Sequence, residues 1–388
     1  MNRTELDEVI KSIKPADRQA IIQAKARQAQ LAKPPGSLGG LEEMSVRIAG
    51  MTGQVINRIG KGCVAVFCAD NGVTAEGVAS APQSVTRAQT INFTRRLTGV
   101  GALAKSYDSE LLIVDMGVKE RIPAELYDTV PLRDTSKIVD RRIRPQGETD
   151  NIAAGPAMTQ DEALQAIAAG IEMAEAVRRA GFSILGVGEM GIGNTTTSAA
   201  LLSAVTGLDA DETVGRGGGV NDEGFARKKE IVEEASAGFR EKGGILKSPA
   251  EIQPEQMLAA LARMGGFDIC AMTGAYLGAA ARRMPVVIDG YISAAAALAA
   301  RVLAPAAADY MIASHKSFEK GYMFAVDALK LKPFLSLDMR LGEGSGCPIA
   351  FSIIRGACDV MADMATFEEA AINDDYLEEI RSEKKYQR

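Results

Sequence analysis

Four apolar runs, each closing on an acidic residue within two positions of a glycine, constrain this chain more than any other feature. Residues 63–69 run into Asp70, Asn71 and Gly72; residues 111–114 into Asp115, Met116 and Gly117; residues 182–187 into Gly188 and Glu189; and residues 284–288 into Asp289 and Gly290. A weaker fifth run, residues 309–313, closes on Ser314 and His315. Uninterrupted apolar runs of this length mark strands buried on both faces, as in parallel sheets. Each is followed by a helical pattern rich in Ala and Leu, so the chain is expected to be an α/β protein built on a mainly parallel sheet flanked by helices.

In such a sheet, ligands bind outside the carboxyl ends of the strands. Asp70, Asp115, Glu189, Asp289 and Ser314 are therefore expected on one edge, where loops carry binding groups. The length of 388 residues allows two to three domains, or one large domain with a smaller one appended. Residues 1–31 read as amphipathic helix broken near Pro15, followed by a Lys33-Pro34-Pro35-Gly36-Ser37 segment that is either a plain turn or a phosphate grip.

Three glycine-rich stretches carry the candidate chemistry. In residues 188–197 a strand end, the glycines 188, 191 and 193, and then Asn194 and three threonines open an Ala-rich helix. Backbone N–H groups and the positive helix end there converge on one spot suited to a phosphate. The stretch is neither a Walker A loop nor a dinucleotide fingerprint, and it suits a small nucleotide. Residues 214–220 form a second glycine loop, followed by a helix whose Arg227, Lys228 and Lys229 read first as a solvated face. In residues 337–346 a single carboxylate, Glu343, stands between Gly342 and Gly344, where the backbone turns sharply and a ligand can approach without meeting a Cβ.

The remaining signals exclude more than they assign. A net charge of -6 with both signs interspersed argues against a nucleic-acid groove. The five cysteines form no Cys-x-x-Cys pair and sit mostly in apolar runs, which points to reduced, buried thiols in a cytoplasmic protein. With one histidine, His315, a His-based metal centre is not expected. As a general base His315 lacks an orienting carboxylate nearby in sequence, and Ser314 and Ser317 beside it suit either a helix cap or a phosphate. No run reaches the roughly 18 apolar residues of a membrane span.

Taken together, residues 33–39, 69–73, 188–196, 214–217 and 340–346 stand in the order and spacing of one family. The chain resembles the nicotinate-nucleotide:dimethylbenzimidazole phosphoribosyltransferases of cobalamin lower-loop assembly, from about residue 30 to about residue 370. The resemblance implies transfer of 5-phosphoribose from nicotinate mononucleotide to a benzimidazole-type base, with inversion at the anomeric carbon and with no metal or redox cofactor. It also implies a Rossmann-like large domain over residues 61–330. Residues 1–60 and 331–388, the latter bearing the active-site loop, would supply a smaller helical domain. A cytoplasmic homodimer with its site near the interface would be the working form.

Carried onto matching positions, the resemblance makes Glu343 the general base and puts Glu189 at the ribose. Gly191, Gly193, Asn194, Thr195, Lys228 and Ser317 would hold the 5′-phosphate. Ser84, Gln89, Met190 and Leu341 would line the base pocket. A carboxylate in a largely apolar pocket is expected to be shifted upward in pKa. Two positions depart from the family pattern: Asn71 stands where a histidine is usual, and Gly218 where a threonine is usual. The reaction is expected to survive both, with altered contacts to base or phosphate.

Overall fold

The computed structural model describes residues 1–243 and 251–377; the end of the expected C-terminal segment, residues 378–388, lies outside the described residues. Its centre is a seven-stranded, wholly parallel sheet in the order β3-β4-β2-β1-β5-β6-β7. The strands are β1 (Gly62–Ala69), β2 (Ser109–Gly117), β3 (Tyr127–Asp128), β4 (Ile138–Asp140), β5 (Ile184–Met190), β6 (Val286–Ile288) and β7 (Met311–Ala313). The five apolar runs form β1, β2, β5, β6 and β7. The two short strands β3 and β4 leave no mark in the sequence, because two or three residues are too few to show a pattern.

Every residue of β1 is buried, as its unbroken apolar run demands. The helices Gln160–Arg179 and Phe267–Ala281 press together at their small residues: a Cβ on Gly274 would lie 1.9 Å from the Ile167 carbonyl oxygen. Gly278 is as closely approached, with a Cβ there 2.9 Å from the Ile171 Cα, so the small residues of this helix serve packing. Away from the sheet, the helices Arg18–Gln30, Gly40–Thr52 and Gly346–Asp363 share a small apolar cluster of Ala24, Ala49 and Met361. A bridge between Leu31 and Thr366 ties the two ends of the chain together.

From β1 the chain moves outward through β2 to β4 and β3 on one side, then returns to place β5 on the other side of β1. Where the order reverses, between β1 and β5, the loops leaving the strand ends diverge and open a crevice. Asp70 follows β1 at that point and Glu189 is the last residue but one of β5.

Candidate active site

Residues 342–344 are three consecutive left-handed residues, with φ of 81° at Gly342, 63° at Glu343 and 84° at Gly344. Ser345 closes the turn by donating its N–H to the Gly342 carbonyl at 3.0 Å. Glycine takes this conformation freely, but for a glutamate it costs about 1–2 kcal/mol. The turn lies directly on β5. A Cβ on Gly188 would stand 2.5 Å from the Glu343 carbonyl oxygen and 2.6 Å from the Gly344 nitrogen, so only glycine fits there.

Glu343 is 4% exposed. Its Oε2 accepts the Val100 N–H at 3.0 Å, at the first turn of the helix Gly99–Ser106. Its Oε1 faces Gln89 Nε2 at 3.4 Å, and Asn92 Nδ2 in turn donates to Gln89 Oε1 at 2.9 Å, which fixes the way that amide points. Burial raises the Glu343 pKa, as the sequence suggests, while the N–H groups of Val100 and Gly99 pull it back. Oε2 is thus occupied by the helix end, and Oε1 is the freer oxygen.

Glu343 also donates its main-chain N–H to Glu189 Oε1 at 3.4 Å. The other Glu189 oxygen accepts from Asn194 Nδ2 at 2.5 Å, and the same amide nitrogen donates to Asp268 Oδ2 at 2.9 Å. Burial pushes Glu189 up to about 8, and the neighbouring Asp268 and Asp289 add to the shift, against the pull of Asn194. Asp268, fully buried at the start of its helix, is pushed up to about 6. One amide therefore bridges two carboxyl groups that each resist ionisation.

Beside this pair lies the candidate anion site. Gly193 is left-handed at φ 95° and starts the helix Asn194–Thr206, where the Asn194 and Thr196 N–H groups are held by the Gly191 and Gly193 carbonyls at 3.1 and 2.9 Å, so the site offers an anion mainly the positive end of the helix. Lys228 Nζ donates to Thr195 Oγ1 at 2.8 Å and to the Gly215 carbonyl at 3.1 Å. It is 1% exposed, and burial lowers it to about 8. Reading three cations as a solvated face is corrected here: Arg227 pairs with Glu76 and Lys229 with Asp211, but Lys228 points inward. Helical periodicity puts neighbouring residues on different faces, and the sequence alone does not say which face is covered. Ser317 is buried nearby, with its Oγ accepting the Glu319 N–H at 3.4 Å. Glu319, which carries no signal in the sequence, stands close enough to raise the Lys228 pKa.

Leu341 is 59% exposed, and its Cδ2 lies 2.3 Å from where a Cβ on Gly99 would stand, a point 3.2 Å from Glu343 Oε2. Gln89 and Leu341 thus meet Glu343, while Ser84 is exposed at the start of the helix Ser84–Thr94 and Met190 is half-buried at the end of β5. Thr86 in that helix accepts the Ile192 N–H at 3.1 Å, locking the helix to the glycine loop. Other strand-end groups serve structure. Asp115 accepts from Tyr127 Oη at 2.5 Å and from the Val118 N–H at 2.8 Å. Lys33 pairs with Glu42 at 2.7 Å, so the Pro-Pro-Gly segment is a turn and its lysine is committed elsewhere than to a phosphate. His315 does have a carboxylate near its Nδ1, Asp289 Oδ1 at 3.9 Å, which folding and not sequence proximity supplies. Burial lowers His315 to about 4, so the ring is neutral near pH 7.

The profile of the family described as "Phosphoribosyltransferase" matches residues 13–372. The chain is 47% identical over 381 residues to the nicotinate-nucleotide–dimethylbenzimidazole phosphoribosyltransferase of Clostridium perfringens, a match covering 98% of this chain and 99% of that one. The enzyme of the same name from Chloroflexus aggregans is 43% identical over 369 residues, covering 95% and 98%. Among solved structures, CobT from Thermus thermophilus superposes with a TM-score of 0.82 at 38% identity, over 92% of this chain and 99% of that one.

Proposed function

The chain belongs to the nicotinate-nucleotide–dimethylbenzimidazole phosphoribosyltransferases, and on that premise we propose that it moves 5-phosphoribose from nicotinate mononucleotide to 5,6-dimethylbenzimidazole or a related lower-ligand base, with Glu343 as general base and inversion at the anomeric carbon. The observation that carries this reading is the pairing of Glu343 with Glu189 beside the Lys228 anion site. The 5′-phosphate lies against Lys228, Thr195, Asn194, Gly191, Gly193 and Ser317. The ribose lies over Glu189, and the incoming base sits among Gln89, Leu341, Met190 and Ser84 with its ring N–H toward Glu343 Oε1.

Glu343 Oε1 removes the ring proton, and the nitrogen lone pair so freed forms the new bond to C1′ from the face opposite nicotinate. The C1′–N bond of the nucleotide breaks, its electron pair returns to the pyridine nitrogen, and nicotinate leaves. Inversion turns the β-nucleotide into an α-ribosyl base phosphate. The positive charge of the bound pyridinium and of the developing ribosyl centre favours ionisation of Glu189, whose proton is otherwise retained because of burial. Glu189 thus gains its charge when the cation arrives.

Large apolar side chains left exposed near the site, Leu341, Leu337 and Phe318, support a homodimer that covers them. The free, buried cysteines support a reducing, cytoplasmic setting. The packing of the helices Arg18–Gln30, Gly40–Thr52 and Gly346–Asp363 supports a smaller domain made from the chain ends. The decisive experiment incubates the protein with nicotinate mononucleotide with and without 5,6-dimethylbenzimidazole and measures nicotinate. Release only with the base supports the transfer. Base-independent release would make the protein a hydrolase, and tight nucleotide binding without release would make it a non-catalytic binder.

A further inference from the structure

The turn that carries Glu343 has an inner face as well as an outer one. On the inner face the N–H groups of Gly344 and Gly346 converge on a single side chain, Asp289, which follows β6. Asp289 Oδ2 accepts from Gly344 at 3.0 Å and Oδ1 from Gly346 at 2.7 Å. Successive N–H groups converging from a left-handed turn form a concave anion cradle, and a carboxylate has an oxygen for each of two donors. The support of Asp289 is itself rigid. Its own N–H donates to Ser293 Oγ at 3.1 Å, and its carbonyl accepts from Ser314 Oγ at 3.3 Å. Asp289 is 2% exposed, and His315 closes its far side.

We propose that Asp289 is the positioning residue of the general base. By holding Gly344 and Gly346 it keeps Glu343 in its left-handed conformation, so that the carboxylate meets Val100 and faces the incoming base. This rests on the reading of Glu343 as base. Glu343 occupies a backbone region that glutamate leaves readily, and the turn needs an anchor outside itself to stay there. An amide in place of the carboxylate would offer one acceptor and turn its own N–H groups toward the second donor.

The test is a double-mutant cycle of Asp289→Asn and Glu343→Gln, with kcat and KM measured for nicotinate mononucleotide and base. Asp289→Asn alone is expected to lower kcat about 10- to 100-fold, the cost of misplacing a reacting group by about an ångström, with the KM for nicotinate mononucleotide within about twofold. In the Glu343→Gln background the same change should cost less than about twofold, because the carboxylate it positions is gone. Additive losses, or a nucleotide KM that rises as far as kcat falls, would overturn the proposal. Full activity in Glu343→Gln defeats the general-base reading whatever Asp289 does, whereas wild-type activity in Asp289→Asn beside an inactive Glu343→Gln defeats only the positioning role. Asp289→Ser, smaller and still an acceptor, is the second variant. Failure of both Asp289 variants to fold, judged by circular dichroism and nucleotide binding, would show that Asp289 supports the sheet edge as a whole and would also overturn it.

Discussion

Glu343 and Glu189 are joined through the backbone: the main-chain N–H of Glu343 donates to Glu189 Oε1 while the Glu343 carboxylate points away, to the Val100 N–H. The acid nearest the proposed ribose site and the proposed general base are therefore linked at the turn 342–344. Separated by the whole span from β5 to the last long helix in sequence, they meet through a main-chain hydrogen bond.

Glu343→Gln removes the proposed proton acceptor while keeping the shape of the side chain. Turnover is expected to fall on the order of 10²-fold or more, with nucleotide binding little changed. Steady-state kinetics and calorimetric titration of nicotinate mononucleotide check both halves. An active variant would remove Glu343 from the mechanism.

Gly188→Ala tests the seat of the turn. The new methyl would meet backbone atoms of Glu343 and Gly344, not a flexible side-chain end, so the turn itself must move. A fall in kcat of about tenfold or more is expected, in a protein that still folds. Wild-type kcat in a folded variant would show that the close approach is not needed.

Lys228 loses its proton near pH 8, because burial lowers it to about 8. Phosphate binding needs the ammonium, so the KM for nicotinate mononucleotide should rise as pH climbs above about 8. Lys228→Met should raise that KM roughly 10- to 100-fold at neutral pH, as expected for a lost charged hydrogen bond, and should abolish the alkaline rise. If the rise persists in the variant, another group titrates there.

Stability should fall as pH rises from about 5 to about 8. Burial pushes Asp70 and Asp268 up to about 6, Asp289 to about 7 and Glu189 to about 8. Each keeps a proton in the folded chain at pH values where the unfolded chain has released it. The folded state thus binds more protons, and stability declines as pH rises through those values. His315 works the other way: lowered from 6.5 to about 4, it makes the unfolded chain the better proton acceptor below its unfolded value. Four raised carboxyl groups outweigh the one histidine, so melting temperature should fall from about pH 5 to about pH 8, less steeply in Asp268→Asn. A melting temperature that rises from about pH 5 to about pH 8 would contradict this linkage.

Much of the framework is legible in the sequence because it rests on local pattern. The strands β1, β2 and β5 are apolar runs, and Glu343 between two glycines announces a turn that only a special backbone can make. What the sequence withholds are the pairings. Asp289 and Gly344 lie far apart along the chain, as do Asn194 and Asp268, and only the order of strands brings them together. Lys228 reads as one of three surface cations because burial depends on which helix covers it, here the helix Asn194–Thr206. Gln89 is placed by resemblance, and Asn92 stands out with it as a polar residue of the same helix, but that Asn92 orients the Gln89 amide shows only in the fold.

The left-handed run at 342–344 leaves its own stretch of sequence almost no room to vary, with glycine on both sides of the carboxylate and glycine beneath it at position 188. Two of the four side chains proposed to meet the incoming base, Leu341 and Ser84, are exposed and lie outside that run. On the proposed roles, a change of accepted aromatic base is expected from single replacements at Leu341 or Ser84, without rebuilding the turn that carries Glu343.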